Sequence, residues 1–274
     1  MPDILPNITR QTFEWRDILG VSVAVMSMDE TLSLLEKRLE RRQFLPLAFL
    51  NANNSNIAGK NSELVQAFGH FLVLADGVGV DIASLALHGR MFPANLNGTD
   101  LVPRLLRHVT RPLKVGLIGA RMEVAECARS AFQAMCPQHA VSVISDGYFS
   151  ASDEPRLLRR LEAERPDILL VAMGVPRQET WIAGKIRSEH CTVPIAVGAL
   201  FDIFTGTVPR APQWMLRLRI EWLYRLWREP RRLWRRYIIG NPVFLASVLK
   251  SRLSGAPSAR GSVLSDGSGG ESAA

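Results

Sequence analysis

Three acidic side chains follow apolar runs of strand length, which makes them the first candidates for acid–base chemistry. They are Asp76, Asp146 and Asp202. Short apolar runs that end in polar turns are typical of buried strands, and ligands of parallel α/β sheets bind beyond the carboxyl ends of the strands. The pattern therefore predicts a polar cleft at one edge of a sheet. For Asp76, in the stretch LADGVGVDIAS, capping of the following helix is the alternative role.

The segment 167–182, DILLVAMGVPRQETWI, has the composition of a buried strand that leads into a helix. Gly174 stands in the turn, and Arg177 and Gln178 stand where the helix begins. Backbone amides, the helix dipole and a guanidinium group would all favour a phosphate there. A tight turn that needs glycine for its dihedral angle is the equally weighted alternative.

Two further turns carry groups that can bind a ligand. The turn Gly116–Ala120 includes Gly119 and can let a phosphate approach backbone amides. Because Asp146 follows the next strand, where a ribose-binding acid would lie, a nicotinamide-dependent oxidoreductase remains open as an alternative. The amide-rich run that begins at Asn51 can cap a helix or bind a sugar hydroxyl.

The positive charge of the chain is concentrated in one short segment. Nine arginines and two glutamates lie between Arg210 and Gly240, together with four of the six tryptophans, and the rest of the chain is electrically balanced. Two amphipathic helical patterns separated by Pro230 suit the headgroup layer of an anionic membrane. Nucleic-acid binding and a docked helix with a solvated basic face are the alternatives. The residues assigned to the membrane surface are Arg217, Trp222, Arg225, Trp227, Arg231, Trp234 and Arg235.

Apolar runs and amphipathic patterns alternate along this chain of 274 residues, and the last strand is predicted at Ile195–Leu200. The alternation predicts a Rossmann-like parallel α/β sheet with helices on both faces and a C-terminal basic helical appendage. We expect an N-terminal α/β half at 1–110, a second α/β half at 111–209, membrane-associating helices at 210–245 and an unstructured tail at 254–274. No apolar run reaches the roughly 18 residues that span a bilayer. Three widely spaced cysteines fit a reducing cytoplasm.

Several motifs follow one another in a fixed order between about residues 20 and 245. They are LADGVGVDIAS at 74–84, NGTDL at 97–101, DGYF at 146–149, DILLVAMGVPRQETWI at 167–182, GALFD at 198–202 and RAPQWMLRLRIEWLYRLWREPRRLWRRY at 210–237. Together they resemble the motifs of the WecG/TagA/CpsF family of bacterial glycosyltransferases. The resemblance implies an inverting, metal-independent enzyme without a cofactor, which moves a sugar from a UDP-sugar to a saccharide on a polyprenyl diphosphate. It also implies a peripheral position on the cytoplasmic membrane face. We expect no nucleic-acid partner, and a homo-oligomer is compatible with the sequence.

The resemblance also implies roles for individual residues. Asp76 matches the general base, and Gln178 matches a residue near the donor diphosphate. Tyr148 and Asp202 match positions that contact the nucleotide. The other residues expected to contact substrate or nucleotide are Asn51, Thr99, Asp100, Gly119, Gly174 and Arg177.

Two positions depart from the family pattern. Phe49 stands where many members have threonine, and Asn95 stands where they have an arginine before the Gly-Thr-Asp motif. Arg90, Arg177 or the arginines of the C-terminal segment are candidates to replace the missing charge. Both departures resemble the branch that includes the exopolysaccharide β-glucosyltransferase GumM. That likeness implies UDP-glucose or another neutral hexose as the donor, in exopolysaccharide synthesis, with N-acetylmannosamine as the runner-up.

Overall fold

The computed structural model describes residues 13–206, 210–212, 214, 215 and 220–254. From residue 255 onward the predicted unstructured tail lies outside these residues. The described chain begins with a two-stranded antiparallel hairpin, β1 (Trp15–Ile18) and β2 (Val21–Ala24). From β1 the buried Arg16 donates hydrogen bonds to the carbonyl oxygens of Arg90 and Met91, and these bonds hold the hairpin against the main domain.

A six-stranded parallel sheet forms the centre of the fold, in the order β4-β3-β8-β7-β5-β6. Its strands are β3 (Leu47–Leu50), β4 (Leu72–Ala75), β5 (Lys114–Gly119), β6 (Ala140–Ser145), β7 (Ile168–Ala172) and β8 (Val193–Ala196). Strand β3 pairs with β4 on one side and with β8 on the other. The predicted halves 1–110 and 111–209 therefore share one sheet, and the predicted parallel α/β class is confirmed.

Helices flank the sheet and connect its strands. They are α1 (Met28–Glu40), α2 (Ala52–Ala58), α3 (Ser62–Phe68), α4 (Val78–His88), α5 (Gly98–His108), α6 (Met122–Met135), α7 (Glu154–Glu164), α8 (Arg177–Lys185) and α9 (Leu200–Phe204). Helix α1 shows why such segments begin where they do. Ser27 and Glu30 form a reciprocal capping box, in which each side chain accepts a hydrogen bond from the backbone N–H of the other residue.

Four strands, β3, β4, β7 and β8, are buried along their whole length, as expected when both faces of a parallel sheet are covered. Successive side chains of β3 enter two separate cores, because side chains alternate across a strand. Leu47 and Phe49 pack in one core, and Ala48 and Leu50 pack in the other. The sheet thus has an apolar layer on each face, which fixes the positions of the turns at its carboxyl edge.

The predicted last strand, Ile195–Leu200, is wrong in its second half. Strand β8 ends at Ala196 and helix α9 begins at Leu200. Asp202 therefore lies on a short helix rather than at a strand end. The physical reason is that Leu200 and Phe201 are both buried, and a short buried helix has the same apolar pattern as a buried strand.

The C-terminal segment forms helices α10 (Glu221–Arg228) and α11 (Pro230–Trp234), a π-helical turn (Arg235–Ile239) and α12 (Gly240–Leu253). Helix α12 extends beyond the predicted boundary at residue 245 and packs against α2 and α4. Its Phe244 is fully buried in that contact. The segment is therefore attached to the part of the sheet that carries Asp76. Within the described residues, no helix has the length and apolar character needed to cross a bilayer.

Candidate active site

A cavity of about 1240 Å³ lies beyond the carboxyl ends of the central strands. Its walls include the turns that follow β3, β4, β7 and β8, the start of α5, and parts of the C-terminal segment. The cavity therefore lies where the sequence predicts a polar cleft. The predicted site residues that line it are Asn51, Asp76, Thr99, Asp100, Tyr148, Gly174, Gln178 and Asp202.

Asp76 follows β4 directly, and its side chain lies against Asn51. Nδ2 of Asn51 donates a hydrogen bond to Oδ2 of Asp76 over 3.0 Å. Burial raises the pKa of the Asp76 carboxyl above its ordinary value, while the Asn51 hydrogen bond and the guanidinium groups of Arg236 and Arg225 pull the pKa down. The alternative role as a helix cap is wrong, because Gly77 is the N-cap residue of α4 and no side chain caps that helix.

Asn51 has a second contact that fixes its orientation. Its Oδ1 accepts the backbone N–H of Asn54 over 3.0 Å and caps helix α2. Because the oxygen is held by the helix end, the amide nitrogen is the atom that faces Asp76. Asn51 therefore has the capping role that the sequence offers for its amide-rich run, and it also lines the cavity.

The two positions that depart from the family pattern both have packing or hydrogen-bonding roles near Asp76. Oδ1 of Asn95 accepts the backbone N–H of Gly77 over 2.8 Å and holds the turn after β4. Phe49 is buried beside the start of α5, where a Cβ atom on Gly98 would lie 3.0 Å from the Phe49 ring. The phenyl ring therefore leaves little room for a side chain at position 98, and Phe49 and Gly98 together make an apolar section of the cavity wall.

Asp100 lies in the first turn of α5 and forms an ion pair with Arg210. Asn97 caps the same helix by accepting the Asp100 N–H over 2.9 Å. The Asp100 carboxylate thus joins α5 to the beginning of the C-terminal segment. Its negative charge also acts to raise the pKa of Asp76.

Gln178, at the start of α8, is almost fully buried within the cavity wall. Its Oε1 accepts the backbone N–H groups of Gly174 and Gly198, each over 3.1 Å, and its Nε2 donates to Glu179 over 2.8 Å. Burial raises the pKa of Glu179, and the hydrogen bond from Gln178 opposes that shift. The side-chain oxygen of Gln178 is therefore already occupied by protein donors.

Arg177 does not face the cavity, in contrast to its predicted role as an anion ligand. Its guanidinium group donates to the carbonyl oxygens of Gly147 and Phe149 and lies over the Phe149 ring. The physical reason is that the loop after β6 comes back over the start of α8 and accepts these hydrogen bonds. Arg177 therefore holds that loop, which carries Tyr148.

Gly119 also lies outside the cavity lining, so its predicted contact with a phosphate is not supported. A Cβ atom at this position would lie 2.3 Å from the carbonyl oxygen of Ala172, and the next amide, that of Ala120, donates to the same oxygen over 3.0 Å. The glycine is required because two strands approach closely. The Ala120 amide is consequently occupied by β7 rather than presented to a ligand.

The loop after β6 contributes Tyr148 to the cavity, and α9 contributes Asp202. The Tyr148 side chain is 71% exposed. Asp146 does not line the cavity, and its Oδ1 instead accepts the backbone N–H of Tyr148 over 3.0 Å. Of the three acids that follow apolar runs, only Asp76 and Asp202 therefore reach the site.

The residues assigned to the membrane surface divide into two groups. Trp222 and Arg225 line the cavity, and the Trp222 ring packs against Tyr237. The exposed group comprises Trp227, Arg231, Trp234 and Arg235. Arg217 lies outside the described residues.

Sequence reasoning missed several cavity residues of the C-terminal segment. They are Glu221, Arg232, Arg236 and Tyr237. The signal that could have found the basic ones is spacing, since Arg225, Arg232 and Arg236 recur at intervals of seven and four residues, which is typical of one helical face. Across the described residues, no group of three or more His, Cys, Asp or Glu side chains could hold a metal ion.

The amino-acid sequence matches the profile of one protein family over residues 16–258, described as the glycosyl transferase WecG/TagA/CpsF family. A similar protein from Bacillus subtilis (strain 168) is 34% identical over 179 residues, which cover 65% of this chain and 68% of that protein. One from Staphylococcus aureus (strain MW2) is 32% identical over 215 residues, which cover 74% and 82%.

Both relatives are named N-acetylglucosaminyldiphosphoundecaprenol N-acetyl-beta-D-mannosaminyltransferase. A third relative with this name, from Bacillus spizizenii, is 33% identical over 193 residues, which cover 70% of this chain and 73% of that protein. The profile match covers most of the chain and includes every element that builds the cavity. The chain therefore belongs to the WecG/TagA/CpsF family and is a glycosyltransferase.

Proposed function

We propose that this glycosyltransferase moves a hexose from a UDP-sugar to a saccharide carried on a polyprenyl diphosphate, with inversion at the anomeric carbon. The observation that carries the proposal is the position of Asp76, a partly enclosed carboxylate in a cavity that also contains Arg225 and Arg236. A base and two cations in one cavity suit a reaction in which a hydroxyl attacks and a diphosphate leaves.

Asp76 is the general base of this mechanism. Its carboxylate takes the proton from an acceptor hydroxyl while the oxygen forms a bond to the anomeric carbon of the donor. The bond between the anomeric carbon and the phosphate oxygen breaks, and UDP leaves with the electron pair. The raised pKa of Asp76 makes it a stronger base than an ordinary exposed aspartate, and the hydrogen bond from Asn51 fixes the carboxylate orientation.

The C-terminal segment holds the acceptor diphosphate. Arg225, Arg232 and Arg236 line the cavity on the same segment that exposes tryptophan to solvent. A diphosphate attached to a membrane lipid must enter from the membrane side, so these arginines are the cations that it meets first. Nε of Arg236 is buried without a hydrogen-bond partner, and a phosphate oxygen would satisfy this donor. We propose that guanidinium groups supply the charge stabilisation, so that the reaction needs no metal ion.

The donor nucleotide occupies the other side of the cavity. By resemblance, Tyr148 and Asp202 contact it, and both residues line the cavity wall formed by the second half of the fold. We propose UDP-glucose or another neutral UDP-hexose as the donor, in exopolysaccharide synthesis. UDP-N-acetylmannosamine is the second candidate, because the relatives from Bacillus and Staphylococcus carry names that specify this sugar.

We propose that the exposed tryptophans attach the enzyme to the membrane surface. Trp227 is 72% exposed and Trp234 is 44% exposed, and the guanidinium group of Arg235 lies 5.5 Å from the Trp234 ring centre. Aromatic rings beside arginine are favoured in the headgroup layer of anionic lipid. We expect the Trp227→Ala, Trp234→Ala double variant to bind anionic vesicles at least about tenfold more weakly. The control is Met122→Ala, which removes an exposed apolar side chain on α6, and equal vesicle binding by both variants would contradict the membrane proposal.

A donor panel tests the catalytic proposal. Purified enzyme is incubated with N-acetylglucosaminyldiphosphoundecaprenol in detergent and with one UDP-sugar at a time, and both the lipid product and the released UDP are measured. We expect one UDP-hexose to give equal amounts of UDP and extended lipid. Transfer from none of the UDP-sugars, by protein that is folded and binds UDP, would redirect the search to another acceptor. Absence of UDP binding would refute the donor class.

A further inference from the structure

Gln178 and Glu179 form a buried pair that joins two turns of the cavity wall. Gly174 follows β7 and Gly198 follows β8, and both glycines line the cavity. Their backbone N–H groups converge on one atom, Oε1 of Gln178, each over 3.1 Å. One side chain therefore sets the distance between the carboxyl ends of two neighbouring strands.

Glu179 determines which way the Gln178 amide points. The carboxamide carries one acceptor atom and one donor group of nearly the same shape. Two N–H donors require the oxygen on the side of the glycines, so the nitrogen must find an acceptor on the other side. Oε1 of Glu179 is that acceptor, 2.8 Å from Nε2 of Gln178. Glu179 is 1% exposed and Gln178 is 4% exposed, so water cannot readily replace either contact.

We propose that Glu179 is a positioning residue for the donor site, which acts by locking the Gln178 amide in the orientation that joins the turns at Gly174 and Gly198. Gln178 then acts through its oxygen, as a link between two turns, rather than through its nitrogen as a ligand of the donor phosphate. This inference rests on the proposed function only for the identity of the ligand, a UDP-sugar. The hydrogen-bond network itself is a property of the free protein.

Variants that swap glutamine and glutamate at positions 178 and 179 distinguish the positioning role from direct binding of the donor. Gln178→Glu places two buried carboxyl groups against each other. Adding Glu179→Gln restores the network, because the amide at position 179 donates to the carboxylate at 178, whose other oxygen accepts both glycine N–H groups. Glu179→Gln alone keeps an acceptor oxygen for Gln178. A direct ligand role for Gln178 predicts the opposite for the double variant, since a carboxylate at 178 would repel a phosphate.

The readouts are amide hydrogen exchange at Gly174 and Gly198 in the free protein and the donor KM. We expect about tenfold faster exchange and a higher KM in Gln178→Glu, and near wild-type values for both in Glu179→Gln and in the double variant. The matched control is the double variant Glu63→Gln, Gln66→Glu, which swaps the same two residue types at exposed positions of α3. It should leave both readouts unchanged.

The proposal is overturned if the double variant exchanges these two amide hydrogens as fast as Gln178→Glu does and has an equally high donor KM. If Gln178→Glu does not fold, the comparison of Glu179→Met with Glu179→Gln decides instead. Faster exchange in the methionine variant alone supports the positioning role, and equal exchange in the two overturns it. If wild-type enzyme binds no UDP-sugar, the proposed function fails while the exchange measurement still tests the network.

Discussion

Replacement of Asn51 by alanine should shift the pH dependence of the enzyme in a predictable direction. The substitution removes the hydrogen bond from Nδ2 to the Asp76 carboxylate, 3.0 Å long. This bond stabilises the ionised form of Asp76 and lowers its pKa. Hydrogen bonds to charged groups contribute about 1.5 kcal/mol or more, which corresponds to a rise of about one pKa unit when the bond is lost.

The sign follows from the role of Asp76. A general base acts only when it is ionised, so a higher pKa moves the acidic limb of the kcat/KM profile to higher pH. We therefore expect the midpoint of that limb to rise by about one unit in Asn51→Ala. The assay is kcat/KM for transfer, measured across the acidic range at fixed ionic strength. The midpoint is the relevant quantity because a lost substrate contact would lower the rate at every pH without moving it.

Asn51 also caps α2, so the variant needs a control for the lost cap. Asn61 provides it, because its Oδ1 caps α3 by accepting the Leu64 N–H over 3.0 Å. Both Asn→Ala variants should lose about 1 kcal/mol of folding stability from the cap. Only Asn51→Ala should move the acidic limb. An unshifted limb in Asn51→Ala, or an equal shift in Asn61→Ala, would refute the link between Asn51 and the ionisation of Asp76.

Three further outcomes can be measured. Gly119→Ala should lower the free energy of unfolding by about 3 kcal/mol or more, because the new Cβ would lie 2.3 Å from a carbonyl oxygen of β7. The control is Gly184→Ala, at an uncrowded position in α8, which should raise the free energy of unfolding by up to about 1 kcal/mol. Denaturant melts check both, and equal effects would contradict the crowding. Asp76→Asn should become more stable relative to wild type as pH rises above 3.8, the ordinary pKa of an aspartate carboxyl. Above that pH, ionising the buried Asp76 carboxyl costs stability, and only wild type has this carboxyl. A difference in melting temperature that stays constant with pH would contradict this. Arg236→Ala should raise the acceptor KM and move the acidic limb of the kcat/KM profile to higher pH, because Arg236 lowers the Asp76 pKa. The control is Arg235→Ala, at the adjacent exposed position, which should change neither quantity. Equal kinetics in the two variants would contradict the assignment of Arg236 to the site.

Local patterns in the sequence identified most of the fold. The alternation of apolar runs and amphipathic segments predicted the parallel sheet and the helices that flank it. The secondary-structure prediction was wrong in the apolar segment after β8. Its apolar residues are buried in a helix that begins at Leu200, and burial alone does not distinguish a short helix from a strand.

The candidate site was predicted less completely, because its contacts join residues that are distant in the chain. Asp76 and Asn51 were each identified from their turns, yet their pairing depends on β3 and β4 being neighbours. The role of Gly119 depends on the close approach of β7, which no local pattern reports. Amphipathicity located the basic face of the C-terminal segment, but only the docking of α12 decides that Arg236 faces the cavity.

The rate of sugar transfer by Asp76→Asn tests the assignment of the general base most directly. The variant keeps the size and the hydrogen-bonding capacity of the side chain but cannot accept a proton at neutral pH. With the UDP-sugar and lipid acceptor identified by the donor panel, we expect kcat to fall by about 10² to 10⁴. Folding and UDP affinity should stay close to those of the wild type. Transfer at the wild-type rate by the folded variant would show that another group removes the acceptor proton.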